Sequence, residues 1–239
     1  MTAPETVPAI KQPADIAKPH HKLSLTANLI PLVAPFMPAN DIRFYLNGIN
    51  VRPHPDGGAV ICATNGHVLA VVRDHAAVCE REVIIHLRKS TVAACAQRPL
   101  NGRLLSLIHG RIAVTEGGED ILIQPGSPII EGTFPDYRQI VPKASKLIGG
   151  LAGGFNSQYL ALLNAAVTAA GKNTGAAFHA LSFFHAPDSK SSVARIEGVD
   201  EFIAVLMPMK SPPVVKSVPG WIAAIPANEV RPATKRVTA

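Results

Sequence analysis

The residues able to do chemistry in this chain are scattered, and their spacing argues for binding rather than bond-making. Nine histidines and 17 acidic residues are present, but no GxSxG, HExxH or phosphate-loop string brings a nucleophile, a metal or a phosphate into play. His67 follows a glycine at a turn, and no nucleophile or paired carboxylate is placed to work with it. His20-His21 sit in a proline-rich leader where nothing completes a metal site. Cys62, Cys79 and Cys95 form no CxxC pair, so neither a zinc site nor a disulfide framework is expected and a reducing cytoplasm fits. Neither an enzyme activity nor a cofactor is expected. The informative stretch is instead the run FIAVLMPMK, from Phe202 to Lys210. Its six unbroken apolar residues, 202–207, read as a strand buried on both faces. Pro208 cannot donate to a ladder and marks the strand's end. Met207 and Met209 flank it, and flexible thioethers suit a surface that accepts varied apolar partners.

The elements that must position this run follow from composition and pattern. The chain has 239 residues, 47% hydrophobic and 17% charged, enough for one large domain or two small ones with a packed core. Aromatics are only 5%, so the core must be built from Leu, Ile, Val and Ala. The formal net charge of +6 and pI near 9.4 suggest a polyanionic partner such as nucleic acid, or a basic tail. No apolar run approaches the ~18 residues of a membrane span, and no secretory signal is expected at the N-terminus.

Residues 1–21 hold four prolines and read as a flexible leader. A strand is expected at 22–25. A helix capped by Thr26 should follow to about 37, kinked or shortened by Pro31 and Pro35. Strands are expected at 41–52 and in two halves of 59–73 around Thr64-Asn-Gly-His67, a tight-turn signal. Residues 81–88 form a further strand, and 90–97 a short helix with Val92, Ala93 and Ala96 inward. Strands at 103–109, 111–116 and 120–124 and an edge piece at 129–132 follow. Residues 143–153 read as a linker. A helix capped by Asn156 or Ser157 and ended by Gly171 should run over 157–170. Strands close the pattern at 177–186, 192–198 and 202–207, ahead of a basic, proline-rich tail at 211–239. The order strand, helix, several strands therefore recurs in three blocks, 22–74, 81–142 and 150–209, of about 55–60 residues each.

Five segments then carry a resemblance. Phe44-Tyr-Leu-Asn-Gly48, Ala63-Thr-Asn-Gly-His-Val-Leu-Ala70, Phe134-Pro-Asp-Tyr-Arg138, Phe155-Asn-Ser-Gln-Tyr159 and Val205-Leu-Met-Pro-Met209 resemble signatures of the bacterial sliding clamp, the DNA polymerase III β subunit, in the family's order. The resemblance implies an α+β DNA-clamp fold built from repeated half-domain blocks, with helices lining a ring and sheets outside. Residues 22–142 resemble the family's complete middle domain, and 154–210 the second half of its last domain. It implies no reaction. It implies a groove for the clamp-binding motifs of DNA polymerase and clamp loader, at Tyr45, Leu46, Thr64, Gly66, His67, Leu69, Pro135, Ile140, Asn156, Tyr159, Val205, Leu206, Met207, Pro208 and Met209. Leu46, Leu69, Ile140 and Val205 would form an apolar floor, Gly66 would leave room for a peptide backbone, and His67, Asn156 and Tyr159 would fix its register. Burying two apolar anchors at ~1.5–3 kcal/mol each gives micromolar-class, exchangeable binding after association costs.

Some positions depart from the family's pattern. Asn65 stands where Asp is usual, Val68 and Gln139 where Arg is common, and Lys210-Ser211 replaces the usual Arg-Leu end. The tail starts beside the groove positions and is a candidate to fold back over them. The resemblance also implies sequence-independent contact with the phosphates of double-stranded DNA, for which Lys89, Arg98, Arg103, Lys143, Lys146 and Lys172 are the candidates. A family ring holds twelve half-domain blocks. Three blocks per chain then imply four chains, with the third block completed by the same block of a second chain. A homotetrameric ring is expected, with a homodimer next. The alternative is a truncated clamp acting as a decoy or regulator, binding clamp-binding peptides or the host clamp without encircling DNA. A cytoplasmic, nucleoid-associated location fits either.

Overall fold

Why the first block folds as it does is set by where its prolines and its aspartate fall. The computed structural model describes residues 22–97, 102–150, 154–175, 179–186 and 191–209. Strand β1 (Leu23–Thr26) leads directly into a 3-10 turn (Ala27–Leu29), a single α turn α1 (Ile30–Val33) and a second 3-10 turn (Ala34–Phe36). Pro31 and Pro35 each fall at the start of a helical piece, where a missing N–H costs least. The expected helix is thus broken into three. Thr26 makes no capping bond. Its N–H and hydroxyl instead donate to the Asp74 carboxylate at 2.7 and 3.0 Å.

The expected strand over 41–52 divides. Phe44–Leu46 is a 3-10 turn, and only β2 (Ile49–Pro53) is extended. Strands β3 (Ala59–Thr64) and β4 (Val68–Asp74) flank the Asn-Gly turn as expected. A two-residue strand β5 (Val78–Cys79) precedes β6 (Val83–Ile85). Helix α2 (Lys89–Cys95) buries Thr91, Ala94 and Cys95; of the residues expected inward, Val92 packs partly buried against the core, whereas Ala93 is exposed and Ala96 half-buried. The Gln124 side chain sets that rotation by accepting from the Thr91 hydroxyl at 2.7 Å and the Arg88 N–H at 2.9 Å. The meander β7 (Arg103–Ile108), β8 (Arg111–Glu116), β9 (Glu119–Ile123) and the edge piece β10 (Ile129–Ile130) follow.

The expected linker carries structure of its own, a 3-10 turn at Ala144–Lys146 and strand β11 (Ile148–Gly149). Helix α3 (Ser157–Thr174) runs past Gly171. Its buried residues Leu163, Ala166 and Ala170 keep it docked through that point, and Gly175 at φ +72° ends it. Asn156 caps it, its Oδ1 accepting from the Gln158 N–H at 2.9 Å. Strands β12 (Leu181–His185), β13 (Ser192–Ile196) and β14 (Phe202–Leu206) complete the chain of elements. The expected leader 1–21, Arg98, Lys210 and the tail 211–239 lie outside the described residues.

Two antiparallel sheets result. One has the order β5-β1-β7-β8-β9, the other β10-β6-β2-β3-β4-β14-β13-β12-β11. The first two blocks exchange their leading strands: β1 pairs with β7 of the second block, and β6 pairs with β2 of the first. The third block joins through β14, which pairs with β4 from Phe202 opposite Val72 to Leu206 opposite Val68. α1 packs against both α2 and α3. The described residues through Met209 belong to one compact unit. Its main core takes inward residues from both sheets and all three helices, among them Leu25, Leu32, Val72, Leu105, Leu163, Phe202 and Leu206. Among the described residues no helix is long and apolar enough to cross a membrane.

Phe202 is fully buried and its ring lies 6.4 Å from that of Phe36, tying β14 to the broken helix of the first block. Replacing Phe202 with Ala should cost about 3–5 kcal/mol in urea unfolding monitored by circular dichroism. A loss below about 1 kcal/mol would mean that this junction does not hold the unit together.

Candidate functional site

The strands β3, β4 and β14 are buried on both faces, so their residues alternate between two cores. Ala204 and Leu206 point into the main core, while Ile203 and Val205 point to the opposite side. A second, smaller core forms there from Leu46, Val60, Cys62, Leu69, Val71, Ile84, Phe134 and Val205, with Tyr45, Tyr137 and Val141 packed against it. The turn at Phe44–Leu46 and the segment 134–141 cover this side of the sheet. The groove positions Leu46, Leu69 and Val205 are thereby brought together, and Leu69 and Val205 are direct cross-strand partners. Leu206 faces away, because a strand's period of two sends it to the other core.

The rim is built from both halves of the large sheet. His67, at the β3–β4 turn, stacks on Tyr159 of α3 with ring centroids 6.0 Å apart and planes 12° from parallel. The Met207 N–H donates to the His67 carbonyl (3.0 Å), and the Met209 N–H to the Gly154 carbonyl (2.8 Å). Pro208 lies between these two anchors, and the side chains of Met207 and Met209 stay 41% and 53% exposed. Thr64 is buried, its hydroxyl donating to the Val68 carbonyl and accepting from the Gly66 N–H. Pro135 and Ile140 are exposed on the covering segment. Asn156 spends its side-chain oxygen on the α3 cap.

Arg43 is the site residue that sequence reasoning missed. Gly66 has φ +90°, and a Cβ there would lie 2.6 Å from the Arg43 guanidinium. The room at Gly66 is therefore occupied by Arg43, which donates to the Asn65 carbonyl at 3.1 Å and forks onto the Asp41 carboxylate at 2.8–3.0 Å. The Arg43 hydrogen bonds hold the Asp41 carboxyl down at about 2. The available signal was the charge alternation Asp41, Arg43 just before the aromatic pair. A second fork anchors the covering segment: Arg138 donates to Asp136 at 2.8 Å, holding its carboxyl at about 2. Arg52 bridges Asp136 (3.7 Å) and Glu82 (2.8 Å).

The basic candidates separate. Arg103 is only 4% exposed and is not a surface cation. It donates to the Ala94 and Gln97 carbonyls at 2.7 and 3.0 Å, satisfying the C-terminal end of α2, and pairs with Glu116 at 2.6 Å. Lys89 at the start of α2, Lys172 in the last turn of α3, Lys143 and Lys146 are exposed. The chemistry of bond-making is weakly provided for. Burial pushes the Cys62 and Cys95 thiols up to about 12 and Cys79 to about 11, leaving them protonated at neutral pH. Among the described residues no group of three or more His, Cys, Asp or Glu is arranged to hold a metal. A cavity of about 1290 Å³ opens elsewhere, between Lys22, Arg52, Glu82, Leu107, Ile129 and Phe134, and none of the groove positions lines it.

Reciprocally paired strand–helix–meander blocks, joined edge to edge through their last strands and backed by a row of helices, define a clamp-type fold. The structural comparisons agree. The sliding clamp of Pseudomonas aeruginosa superposes with a TM-score of 0.60 at 20% identity, over 86% of this chain and 70% of that one. The Caulobacter crescentus β clamp gives 0.56 at 18%, over 86% and 69%, and the Borrelia burgdorferi DNA polymerase III β subunit 0.59 at 13%, over 84% and 66%. The chain thus has the fold of the bacterial DNA polymerase III β sliding clamps. No family model matches the sequence, and no curated protein does.

The Asp41–Arg43 fork has a direct test. A carboxyl held at about 2 against an ordinary 3.8 contributes fully above about pH 4, and that contribution is lost as pH falls toward 2. A carbon-detected NMR titration should find Asp41 near 2 in the native protein and raised in Arg43→Ala, though only part of the way to the ordinary value, because the backbone N–H of residue 43 still donates to the carboxylate. An unchanged value in the variant would show that Arg43 is not the cause.

Proposed function

We propose that this chain acts as a sliding clamp, a non-enzymatic processivity factor that encircles duplex DNA and docks peptides of polymerases and other replication or repair proteins. The observation that carries the reading is the convergence of Leu46, Leu69 and Val205 on one sheet face, bordered by the exposed thioethers of Met207 and Met209 and the stacked His67 and Tyr159. The residues come from both sides of the β4–β14 joint, so in this reading the groove lies where the first and third blocks meet. A peptide's apolar side chains would displace water from the methionines, while the Arg43-filled turn at Gly66 presents a cation to its carbonyls or carboxylates. The exposed lysines Lys89 on α2, Lys172 on α3, and Lys143 and Lys146 at the Ala144–Lys146 turn would meet phosphates. Residues 22–142 act in this reading as one complete clamp domain and 154–210 as half of another. Four chains would supply the twelve blocks of a ring, working in the cytoplasm on the nucleoid.

Docking is measured by fluorescence anisotropy with a labelled peptide carrying two large apolar anchors from a polymerase's clamp-binding motif. We expect a micromolar Kd, weakened about tenfold (~1.4 kcal/mol) by the double variant Met207→Ala, Met209→Ala. No binding by the native chain would end the docking reading.

DNA is tested separately, by retention on closed circular duplex against the same DNA linearised. Retention on the circle alone supports encirclement. Peptide binding with no retention on the circle would favour the decoy. For direct phosphate contact, each lysine among Lys89, Lys143, Lys146 and Lys172 that takes part should lower the log–log salt slope by about 0.9 when changed to Ala.

A further inference from the structure

The third block breaks a rule that the first two obey. The strand that precedes a block's helix pairs with the other block's meander: β1 with β7 through four residue pairs, β6 with β2 through three. β11 holds the equivalent place before α3, yet it pairs with β12 of its own block, through only two residue pairs. β1 runs straight into the helical turn at Ala27 and residues 86–88 separate β6 from α2, whereas β11 ends at Gly149 and α3 begins only at Ser157.

The inward surface of the block is correspondingly incomplete. Ile49 and Val51 on β2 and Leu105 on β7, each on a strand paired with an exchanged neighbour, are fully buried in the main core. On β12, which holds the same position in its meander, Leu181 and Phe183 are only half-buried. Ile148 of β11 is 50% exposed, and Leu160 of α3 is exposed as well. Apolar groups that the paired blocks seal from water are open here, and what seals them in the paired blocks is a reciprocal block.

We propose that the third block is completed by the third block of a second copy of this chain, with the β11 strands crossing between copies, each pairing with its partner's β12. The contact is isologous: the surface on each copy is the same, and the exchange is reciprocal, as it already is between β1–β7 and β6–β2. Each crossing keeps the observed antiparallel register, Ile148 opposite His185 and Gly149 opposite Phe184. The backbone bonds lost in one chain are thereby remade between two, and the added gain is the sealing of Leu181, Phe183 and Leu160 by a second helix and meander. The inference rests on the ring reading in one respect only, as the joint through which short chains would link. It is independent of the peptide groove.

The test uses full-length protein carrying Cys79→Ser, because Cys62 and Cys95 are buried. Directly opposite strand residues have Cα atoms about 4.5–5.5 Å apart, within disulfide reach. Chains carrying Ile148→Cys alone and His185→Cys alone are unfolded together, refolded as a mixture and oxidised. A covalent heterodimer on a non-reducing gel is the expected result. Failure to form it, while Ile148→Cys, His185→Cys on one chain closes an intrachain bond, would overturn the exchange. Light scattering of the unsubstituted chain at micromolar concentration supplies the second measurement. A mass of two or four chains is expected, and a monomer overturns the proposal whatever the gel shows. A four-chain mass without the interchain bond would overturn the exchange and leave the ring. A monomer that still binds peptide would overturn both and leave only the groove.

Discussion

The antiparallel pairing of β14 with β4 is the constraint on which the rest depends. It is the backbone ladder that carries the third block onto the first, and it turns five strands on one side and four on the other into one continuous nine-stranded sheet. Its register is strongly specified because both faces are buried. A one-residue slip would drive Val205 and Ile203 into the main core and expel Phe202, Ala204 and Leu206 from it. The same alternation makes the second core. One face of the joint is needed to bind the blocks, and the other is left to be covered by the Phe44–Leu46 turn and the 134–141 segment, with the methionines just past the strand's end.

Charged residues in this fold work mainly as fasteners for irregular backbone. Asp41 and Arg43 brace the β3–β4 turn, Asp136 and Arg138 brace the covering segment, and Arg52 ties that segment to Glu82. Arg103 reinforces the end of a two-turn helix, donating to the Ala94 and Gln97 carbonyls. The first two clusters hold segments that border the second core, so irregular backbone is fastened by charge where the core beneath it is hydrophobic.

Much of the architecture was legible in residue pattern. The three-block order, the Asn-Gly turn, the doubly buried final strand and the Asn156 cap all follow from local chemistry acting over a few residues. The misses share a cause. α2 is rotated because Gln124, far along the chain, bonds Thr91. α3 outruns Gly171, its last turn tied to the first block by the Asn173 amide, which donates to the Asn28 carbonyl at 2.8 Å. Thr26 serves Asp74 rather than its own helix. In each case a distant partner outcompeted the local preference.

The candidate site divides in the same way. Sequence alone determined which residue types stand at the turn, on the final strand and around Pro208, because these depend on periodicity and on what proline and glycine permit. Only the tertiary structure decided that Leu46, Leu69 and Val205 share a face while Leu206 does not, that Arg43 fills the space at Gly66, that Arg103 is buried, and that β11 lies beside its own meander. Those facts depend on which strands become neighbours, and strand pairing is settled by the burial of whole faces rather than by any residue's local chemistry.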